Sequence, residues 1–296
     1  MAIYSYLQGG LGNQMFQYAI ARALSEHYQS TFLLDHSWFD SPQIETTPRP
    51  YQLGFLKIQE VAQTTVGFPK RPNRLKRLLQ QFLPFGSIVY YQQNAFEFDA
   101  ELLNLDGLGQ QDLFLFGYWQ ALPYLEPIKM ILQQEFKTQH AISDHYQSYL
   151  EHICTSESVM LHIRRGDYVN SPSAAKFHGA LALSYYQKAI EELLLNKPNA
   201  HFFIFSDDLP WAKEALPKDL QISFVENALQ ADDAAQELQL MYACKHHIIA
   251  NSSLSWWGAW LKQDCGGFVF APNRWIRDSS LDLSNLLPAH WQKIPA

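Results

Sequence analysis

The spacing of apolar residues along the chain predicts an alternation of strands and helices. Residues 3–7 alternate in polarity, as a strand does, and the next apolar residues, from Phe16 to Leu24, recur at the 3.6-residue spacing of a helix face. The apolar run at 31–35 is the next predicted strand. The chain therefore opens with a strand–helix–strand unit.

The pattern is less regular between residues 36 and 150, where strands are predicted at 87–91 and 113–119 and a helix at 123–136. From about residue 155 the alternation becomes regular. The predicted strands there are 159–164, 201–206, 222–226, 246–251 and 267–272, and the predicted helices are 184–196, 210–216, 232–244 and 254–263. Repeated strand–helix units with apolar strands indicate a parallel sheet covered by helices on both faces.

Two such regions predict an α/β protein with two Rossmann-like domains, whose parallel sheets face a central cleft. The polar stretch around 137–157 is the best boundary candidate, so we expect an N-terminal domain at 1–150 and a C-terminal domain at 151–275. A tail at 276–296 could pack back on the N-terminal domain. In such sheets a ligand lies beyond the carboxyl ends of the strands, and this rule locates the candidate motifs.

Composition narrows the class of partner. The 296 residues are 47% hydrophobic and 14% aromatic, with a formal net charge of −7. This charge argues against nucleic-acid binding, which normally needs a basic face. Aromatic rings suit the faces of sugars, and an anionic ligand would have to be bound by a local cluster of donors.

Cysteine usage and the first residues favour a reducing compartment. The three cysteines are widely spaced and form no C-x-x-C motif. No signal-peptide pattern and no apolar run of roughly 18 residues is present, so we expect a cytoplasmic protein. The basic cluster at 70–77, KRPNRLKR, is either a solvated helix face or a contact to an anionic acceptor or a membrane surface. The second alternative would place the protein peripherally at the inner membrane face.

The first candidate site is the glycine-rich stretch GGLGNQ at 9–14, between the first strand and the first helix. Gly10 and Gly12 permit a close approach of the backbone, and the amides of Asn13 and Gln14 are expected at a helix N-terminus, which favours a phosphate or carboxylate. The stretch lacks the third glycine of the dinucleotide fingerprint and the Gly-Lys-Ser/Thr of a P-loop. A glycine turn needed only for packing is the alternative.

The second candidate is HIRRGD, at the end of the strand predicted at 159–164. Because side chains alternate along a strand, His162 and Arg164 share a face and Arg165 points the other way. Arginine makes bidentate phosphate contacts, so this strand end predicts an anion site. Alternatively, one arginine pairs with Asp167 and only fixes the loop. The R-G-D tripeptide of adhesion proteins would need an exported chain, which nothing in the sequence indicates.

The third candidate is a pair of carboxylates, Asp207 and Asp208, after the strand predicted at 201–206. They could bind a metal, hold a ribose or cap the helix that follows. Metal-dependent nucleotide-sugar enzymes commonly use D-x-D, and the chain has no such motif, which argues against a metal. His246 and His247 are a poor metal pair because adjacent strand residues face opposite ways.

The fourth candidate stretch begins at Glu237, in a predicted helix. Asn251, Ser252 and Ser253 follow where a strand meets another helix. Hydroxyls together with helix N-terminal amides form a neutral phosphate cradle, which would complement the arginines of HIRRGD. The tryptophans of the following SWWGAW are expected in the core.

Five stretches, taken in order, resemble the blocks of the α-1,2-fucosyltransferases of glycosyltransferase family 11, especially the bacterial ones. They are GGLGNQMFQYA, HIRRGDY, FSDD, CKHHIIANSSLSWWGAWL and APNRW. The similarity spans nearly the whole chain and is dense in 8–24 and 159–275, with Leu254 as a conservative departure from a common phenylalanine. It implies a GT-B-type fold and GDP-β-L-fucose as donor. It also implies inverting transfer to the 2-hydroxyl of a terminal galactoside, as in bacterial surface-glycan synthesis, with no metal or other cofactor.

The resemblance also implies roles for individual residues. Arg164 would bind the β-phosphate, and His162 and Arg165 would support the nucleotide and its loop. A more distant similarity, to α-1,6- and protein O-fucosyltransferases, implies that Glu237, fifteen positions before the serine pair, contacts guanine. The two serines would then hold the phosphates.

Position alone suggests the remaining assignments. Asp167 is the candidate base for the acceptor hydroxyl because it lies near the predicted phosphate site, although two neighbouring arginines make it a poor base. Asp35, at the end of the second strand, could contribute from the N-terminal domain. Trp38, Tyr118 and Trp119 are candidates for stacking on the acceptor sugar.

Two other functions stay open at this point. A fucosyltransferase of another linkage would share the donor site and differ only where the acceptor binds. A catalytically silent glycan- or nucleotide-binding protein would bind GDP or a glycan without turnover.

Overall fold

The structure, a computed structural model, describes residues 1–40, 48–59, 88–93, 97–105, 111–170, 175–176, 179–262, 266–277 and 283–296. In these parts of the chain, strands form two separate sheets, all of whose pairings are parallel. Helices pack against both sheets. The predicted α/β class with two Rossmann-like halves is confirmed.

Within the described ranges, the N-terminal half contains a four-stranded sheet in the order β2-β1-β4-β3. Its strands are β1 (Ala2–Tyr6), β2 (Thr31–Asp35), β3 (Ile88–Gln92) and β4 (Asp112–Phe116). Its helices are α1 (Leu11–Tyr28), α2 (Leu122–Leu125) and α3 (Lys129–Glu135), with 3-10 turns at Leu53–Phe55, Ala100–Leu103 and Glu126–Ile128. The helix predicted at 123–136 is thus interrupted at Pro127, which has no N–H for a helical hydrogen bond.

The C-terminal half contains, in the same described ranges, a six-stranded sheet in the order β10-β9-β8-β5-β6-β7. Its strands are β5 (Ser158–Ile163), β6 (His201–Ser206), β7 (Gln221–Phe224), β8 (His246–Ile248), β9 (Val269–Pro272) and β10 (Gln292–Ile294). Its helices are α4 (Asp144–Thr155), α5 (Gly166–Asn170), α6 (Leu183–Asn196), α7 (Leu209–Ala215), α8 (Asp233–Ala243) and α9 (Ser253–Trp260).

Helix α4 lies across the boundary that the polar pattern predicted. Its buried Tyr146 and Ile153 belong to the core, and the Tyr146 hydroxyl accepts the Ala228 N–H at 3.2 Å. The helix therefore packs with the C-terminal half. The domain boundary expected at residue 150 stays a prediction.

The C-terminal tail contacts both halves. β10 extends the C-terminal sheet by pairing with β9, with Gln292 opposite Phe270. The segment before β10 reaches the other half, because the Leu122 N–H donates to the Asn285 carbonyl at 2.6 Å. The tail predicted to pack on the N-terminal domain thus also supplies an edge strand to the C-terminal sheet.

The two halves meet where α1 packs against α9. Phe16 contacts both Trp256 and Trp257, with ring centres 4.8 and 4.6 Å apart, and all three rings are fully buried. Each such aromatic pair stabilises by about 0.5–1.5 kcal/mol beyond its buried area. The tryptophans are core residues, as predicted, and the core they fill joins the two halves.

Parallel register places the candidate motifs together at one edge of the C-terminal sheet. Ile163 of β5 pairs with Ser206 of β6. The polar residues that follow each strand, Arg164 and Asp207, therefore emerge side by side. This is the sheet edge at which ligands bind in such folds.

No helix in the described parts of the chain is long and apolar enough to span a membrane. The basic cluster at 70–77 lies outside the described residues.

Candidate active site

Two ion pairs occupy the carboxyl ends of β5 and β6. Arg164 Nη1 lies 2.9 Å from Asp207 Oδ2, and Arg165 Nε lies 3.3 Å from Asp208 Oδ2. Asp207 also accepts the Arg165 N–H, at 2.8 Å, through Oδ1. All four side chains are partly exposed. Partly exposed pairs contribute about 0–1 kcal/mol, so an incoming anion could replace the carboxylate at Arg164 at little cost.

The two arginines have different surroundings. The Arg165 guanidinium lies 4.0 Å from the centre of the Trp211 ring, a cation–π distance. Its partner Asp208 caps α7 by accepting the Trp211 N–H at 3.2 Å, the capping role that the sequence left open. The Arg164 guanidinium instead lies 5.7 Å from the centre of the Tyr168 ring. Arg165 therefore braces its loop, whereas Arg164 lies at the edge shared by the strand ends.

The loop after β8 is tied to the same edge. The Tyr168 hydroxyl donates to the Asn251 carbonyl at 3.0 Å. The side-chain amide of Asn251 is buried and donates to the carbonyls of Gly179 and Trp275 at 3.2 and 3.1 Å. Asn251, the first residue of the candidate stretch at 251–253, uses its side-chain N–H groups to hold two loops together.

His162 is buried on β5 beside the Arg164–Asp207 pair. Burial, and then the positive charge of Arg164, lower the pKa of His162 to about 4. The ring is therefore neutral at pH 7. Its buried Nδ1 has no hydrogen-bond partner among the described residues, and a neutral imidazole nitrogen can accept or donate one hydrogen bond to a ligand.

Glu237, on α8, is a partly buried carboxyl group within electrostatic reach of Arg164. Burial, and then the charge of Asp233, raise the pKa of Glu237 to about 7. A hydrogen bond from Asn227 Nδ2 to Glu237 Oε1, 2.8 Å long, and the charge of Arg164 oppose that rise. A carboxyl group in a polar cluster whose pKa lies near 7 is typical of functional sites.

The glycine loop at 9–14 in the N-terminal half lies directly against the turn at Ser252 and Ser253 in the C-terminal half, here called the serine turn. A Cβ on Gly12 would lie 2.5 Å from Leu254 N and 2.6 Å from the Ser253 carbonyl carbon, so glycine is required there. Trp257 Nε1 also donates to the Gly12 carbonyl at 2.9 Å. At Gly12 the packing explanation therefore holds, and the first turns of α1 and α9 meet.

The two amides predicted to bind phosphate in this loop are used by the helix itself. The N–H groups of Asn13 and Gln14 donate to the Gly10 carbonyl at 2.9 and 3.1 Å, because α1 already begins at Leu11. An α-helix leaves its first N–H groups without an acceptor inside the helix, and here these belong to Leu11 and Gly12. The N–H groups of Asn13 and Gln14 are therefore engaged within the first turn of α1, and a phosphate contact in this loop stays a prediction.

The side chains of Asn13 and Gln14 are structural as well. Gln14 is fully buried, and its side-chain amide donates to the carbonyls of Gly9 and Pro50 at 2.8 and 2.9 Å. Asn13 Oδ1 accepts from Gln120 Nε2 at 3.0 Å. Both residues fix the loop that brings Gly12 to the serine turn.

The candidate acceptor residues differ in accessibility. Asp35 is buried, and its Oδ1 accepts the Ser37 N–H at 2.9 Å. Trp119 has no exposed surface and therefore offers no ring face to a sugar, contrary to the prediction. Tyr118 is 43% exposed and Trp38 is partly exposed, so both retain surface for stacking.

The side chains described at the site include three residues that were not predicted, and one predicted catalytic side chain is not among those described. Asp167 lies in α5, and its side chain is outside the described part of the structure. Sequence reasoning missed Trp211, Tyr168 and Asn227, which contact Arg165, Arg164 and Glu237. Trp211 could have been found, since an aromatic residue in the first turn after a capping aspartate lies beside the strand end. Asn227 belongs to no motif.

The profile of Glycosyl transferase family 11 matches residues 79–291. The chain belongs to this family. The "Alpha-1,2-colitosyltransferase" of Escherichia coli is 34% identical over 300 residues, which cover 99% of this chain and 98% of that protein. The "O-antigen biosynthesis glycosyltransferase WbnK" of Escherichia coli is 32% identical, over 93% of this chain and 95% of that protein.

Solved structures support the fold of this family 11 glycosyltransferase. The crystal structure of the fucosyltransferase NodZ from Bradyrhizobium superposes with a TM-score of 0.53, at 15% identity, over 88% of this chain and 93% of NodZ. The predicted GT-B-type arrangement of two Rossmann-like halves is confirmed. The predicted family membership is confirmed as well.

Proposed function

We propose that this glycosyltransferase transfers L-fucose from GDP-β-L-fucose, with inversion, to the 2-hydroxyl of a terminal galactoside. The observation that carries the proposal is the convergence of Arg164, His162 and Glu237 at one sheet edge. That set matches the demands of a guanine nucleotide diphosphate, which needs a phosphate-binding cation and an acceptor for the base. Tyr168, which lies under Arg164, ties the Asn251 carbonyl of the loop after β8 to the same edge.

The comparisons support the linkage and the donor. The 34% identical relative is an α-1,2-colitosyltransferase by name, which favours an α-1,2 linkage. A NodZ crystal soaked with GDP-fucose has the same fold, with a TM-score of 0.51, and the sequence blocks resemble bacterial α-1,2-fucosyltransferases. The similarity to WbnK, named for O-antigen biosynthesis, favours a bacterial surface-glycan acceptor.

In the proposed mechanism, donor binding exchanges the partner of Arg164. The guanidinium releases Asp207, 2.9 Å away in this structure, and binds the β-phosphate. As the bond from fucose to GDP breaks, negative charge grows on that phosphate. A positioned guanidinium, together with the hydrogen-bond donors of Ser252, Ser253 and the first turn of α9, stabilises this developing charge and so lowers the barrier to transfer.

We expect the reaction to need no metal ion. The carboxylates of Asp207 and Asp208 are engaged by Arg164, Arg165 and the cap of α7. In the described residues no cluster of three or more His, Cys, Asp or Glu side chains could hold a metal. The guanidinium of Arg164 would supply the charge stabilisation that a divalent cation supplies in other glycosyltransferases.

The acceptor would bind from the N-terminal half and attack the fucosyl carbon on the face opposite to GDP. Tyr118 and Trp38 keep exposed ring surface for stacking on the galactoside. The attacking hydroxyl must lose its proton, and Asp167 and Asp35 remain the candidate bases.

A second candidate function differs from the proposed one in the sugar that is transferred. Colitose is fucose without its 3-hydroxyl, and the 34% identical relative makes colitosyl transfer the second candidate. Purified protein is incubated with GDP-fucose or GDP-colitose together with lactose, and the linkage of each product is determined by NMR. We expect an α-1,2-fucosylated product.

Each other outcome of this experiment identifies a different function. Preferred transfer from GDP-colitose would show that colitose, and not fucose, is the sugar transferred. A product with another linkage would show that a different hydroxyl of the acceptor is used. GDP binding without any product across several galactosides would contradict the proposal and favour a silent binding protein. The Arg164→Ala variant serves as the inactive control.

A further inference from the structure

We propose that Asn227 is a positioning residue for base recognition, which holds the Glu237 carboxylate in the orientation that accepts the N–H groups of guanine. This inference rests on the proposed guanine-nucleotide donor. It concerns a residue outside every sequence motif, in the loop between β7 and α8.

The contact lies at the protein surface, between the loop after β7 and helix α8. Asn227 Nδ2 donates to Glu237 Oε1 at 2.8 Å, within the range of charge-assisted hydrogen bonds. Asn227 is exposed and Glu237 is partly buried. The bond therefore adjoins the surface from which a nucleobase would enter. Asn227 follows β7, whose neighbour β6 ends beside Asp207.

The backbone on both sides of Asn227 is pinned to α4. His145 Nε2 donates to the Glu226 carbonyl at 2.6 Å, and the Ala228 N–H donates to the Tyr146 hydroxyl at 3.2 Å. Leu229 follows with φ of 61°, a left-handed conformation that non-glycine residues seldom adopt. A loop held in this way presents the Asn227 amide from a fixed position.

The charges around Glu237 explain why a neutral donor matters there. Burial, and then the charges of Asp233 on the same helix and of Asp207 after β6, raise the pKa of Glu237, whereas Arg164 lowers it. Tyr146 of α4 also lies close enough to interact electrostatically with Glu237. The Asn227 N–H lowers the pKa of Glu237 and so favours the ionised form against two neighbouring carboxylates.

Guanine recognition requires that ionised form. The base presents N1–H and the 2-amino group side by side, and an ionised carboxylate accepts both with its two oxygens. Each carboxylate oxygen has two lone pairs, so the bond from Asn227 to Oε1 leaves one free on that atom. Removing Asn227 should therefore loosen the carboxylate and raise its pKa further.

The test measures GDP binding to the full chain by calorimetry from pH 6 to pH 8.5. The wild-type affinity should rise with pH through about 7, as Glu237 ionises. Asn227→Ala should weaken GDP binding about tenfold at pH 7 and shift the rise to higher pH. It should also reduce the preference for GDP over IDP, which lacks the 2-amino group. Glu237→Gln should remove the contribution of this carboxyl group and leave only the pH dependence that comes from ionisation of the GDP phosphate.

Gln230→Ala is the matched control in the same loop, because the Gln230 side chain donates only a long bond of 3.4 Å to the Ala228 carbonyl. Its affinity and pH profile should match the wild type, and both variants should keep the wild-type Tm. GDP binding by Asn227→Ala that equals the control at every pH would overturn this inference alone. Absence of GDP binding by the wild type would overturn the donor assignment and the inference with it.

Discussion

Arg164 and Asp207 form an ion pair of 2.9 Å across the ends of two adjacent parallel strands, and both side chains stay partly exposed. A partly exposed pair of this kind contributes little to stability. In the proposed mechanism the carboxylate would be a resting partner of the guanidinium, which a phosphate of the donor would replace.

Arg164→Ala should lower kcat/KM for fucosyl transfer by about 100- to 1000-fold or more, since removing one preorganised charge-stabilising donor typically costs that much. Tm should change little, because the ion pair contributes little to folding. Arg165→Ala is the comparison: that guanidinium stacks on Trp211, 4.0 Å away. Its loss should lower stability more and catalysis less. A nearly active Arg164→Ala enzyme would remove the phosphate-binding role.

Chelation should leave the enzyme active. The aspartates of FSDD are occupied by arginines and by the cap of α7, so the initial rate in excess EDTA should equal the untreated rate. Added Mg²⁺ or Mn²⁺ should not raise it. Loss of activity in EDTA that Mn²⁺ restores would show that the phosphate charge is met by a metal.

Acid should destabilise the fold in part through His247, which is fully buried on β8. Burial lowers the pKa of His247 to about 3, whereas in the unfolded chain it is about 6.5. Between these values the unfolded state binds a proton that the folded state does not. Stability is therefore lost as pH falls below about 6.5. From pH 7 to pH 5 this loss is roughly 2 kcal/mol.

His247→Gln should reduce that loss. A glutamine stays neutral at both pH values and could still donate to the Met241 carbonyl, which His247 Nε2 meets at 2.9 Å. Urea unfolding of both proteins at pH 7 and pH 5 measures the difference. Equal acid sensitivity of wild type and variant would contradict the assignment.

Periodicity predicted most of the sheet because buried parallel strands are continuous apolar runs. The strands at 31–35 and 201–206 have the predicted bounds. The strand at Gln292–Ile294 could not be predicted in this way. It is short, and two of its three residues are exposed, so its place depends on main-chain pairing with β9.

The positions of site residues that follow strands could be predicted from the order of the strands. Positions that depend on contacts between distant parts of the chain could not. Arg164 and Asp207 follow strands, so the carboxyl-end rule brings them together. The partner of Gly12 lies some 240 residues away in sequence, in the turn at Ser253, and nothing local reveals it. Trp119 was likewise expected at the surface. Its backbone has a left-handed φ of 57°, and its side chain is fully buried in the core.

The glycine loop offers a matched pair of substitutions that tests the contact between the halves. A Cβ on Gly12 would meet backbone atoms at 2.5 and 2.6 Å, whereas on Gly10 the nearest atom would be Arg49 Cδ at 3.9 Å. Gly10 has φ of −76°, which any residue adopts. Gly12→Ala should therefore force the serine turn away and destabilise the protein by about 1–3 kcal/mol.

Gly12→Ala should also lower kcat/KM, because Ser253, which we propose as a phosphate-binding residue, would be displaced. Gly10→Ala should stay close to wild type in both respects. Thermal melting and initial rates with GDP-fucose and lactose measure the two effects. Equal Tm and equal kcat/KM of the two variants would mean that the protein tolerates a gap between the two halves at Gly12. The turns of α1 and α9 would then not need to meet for catalysis.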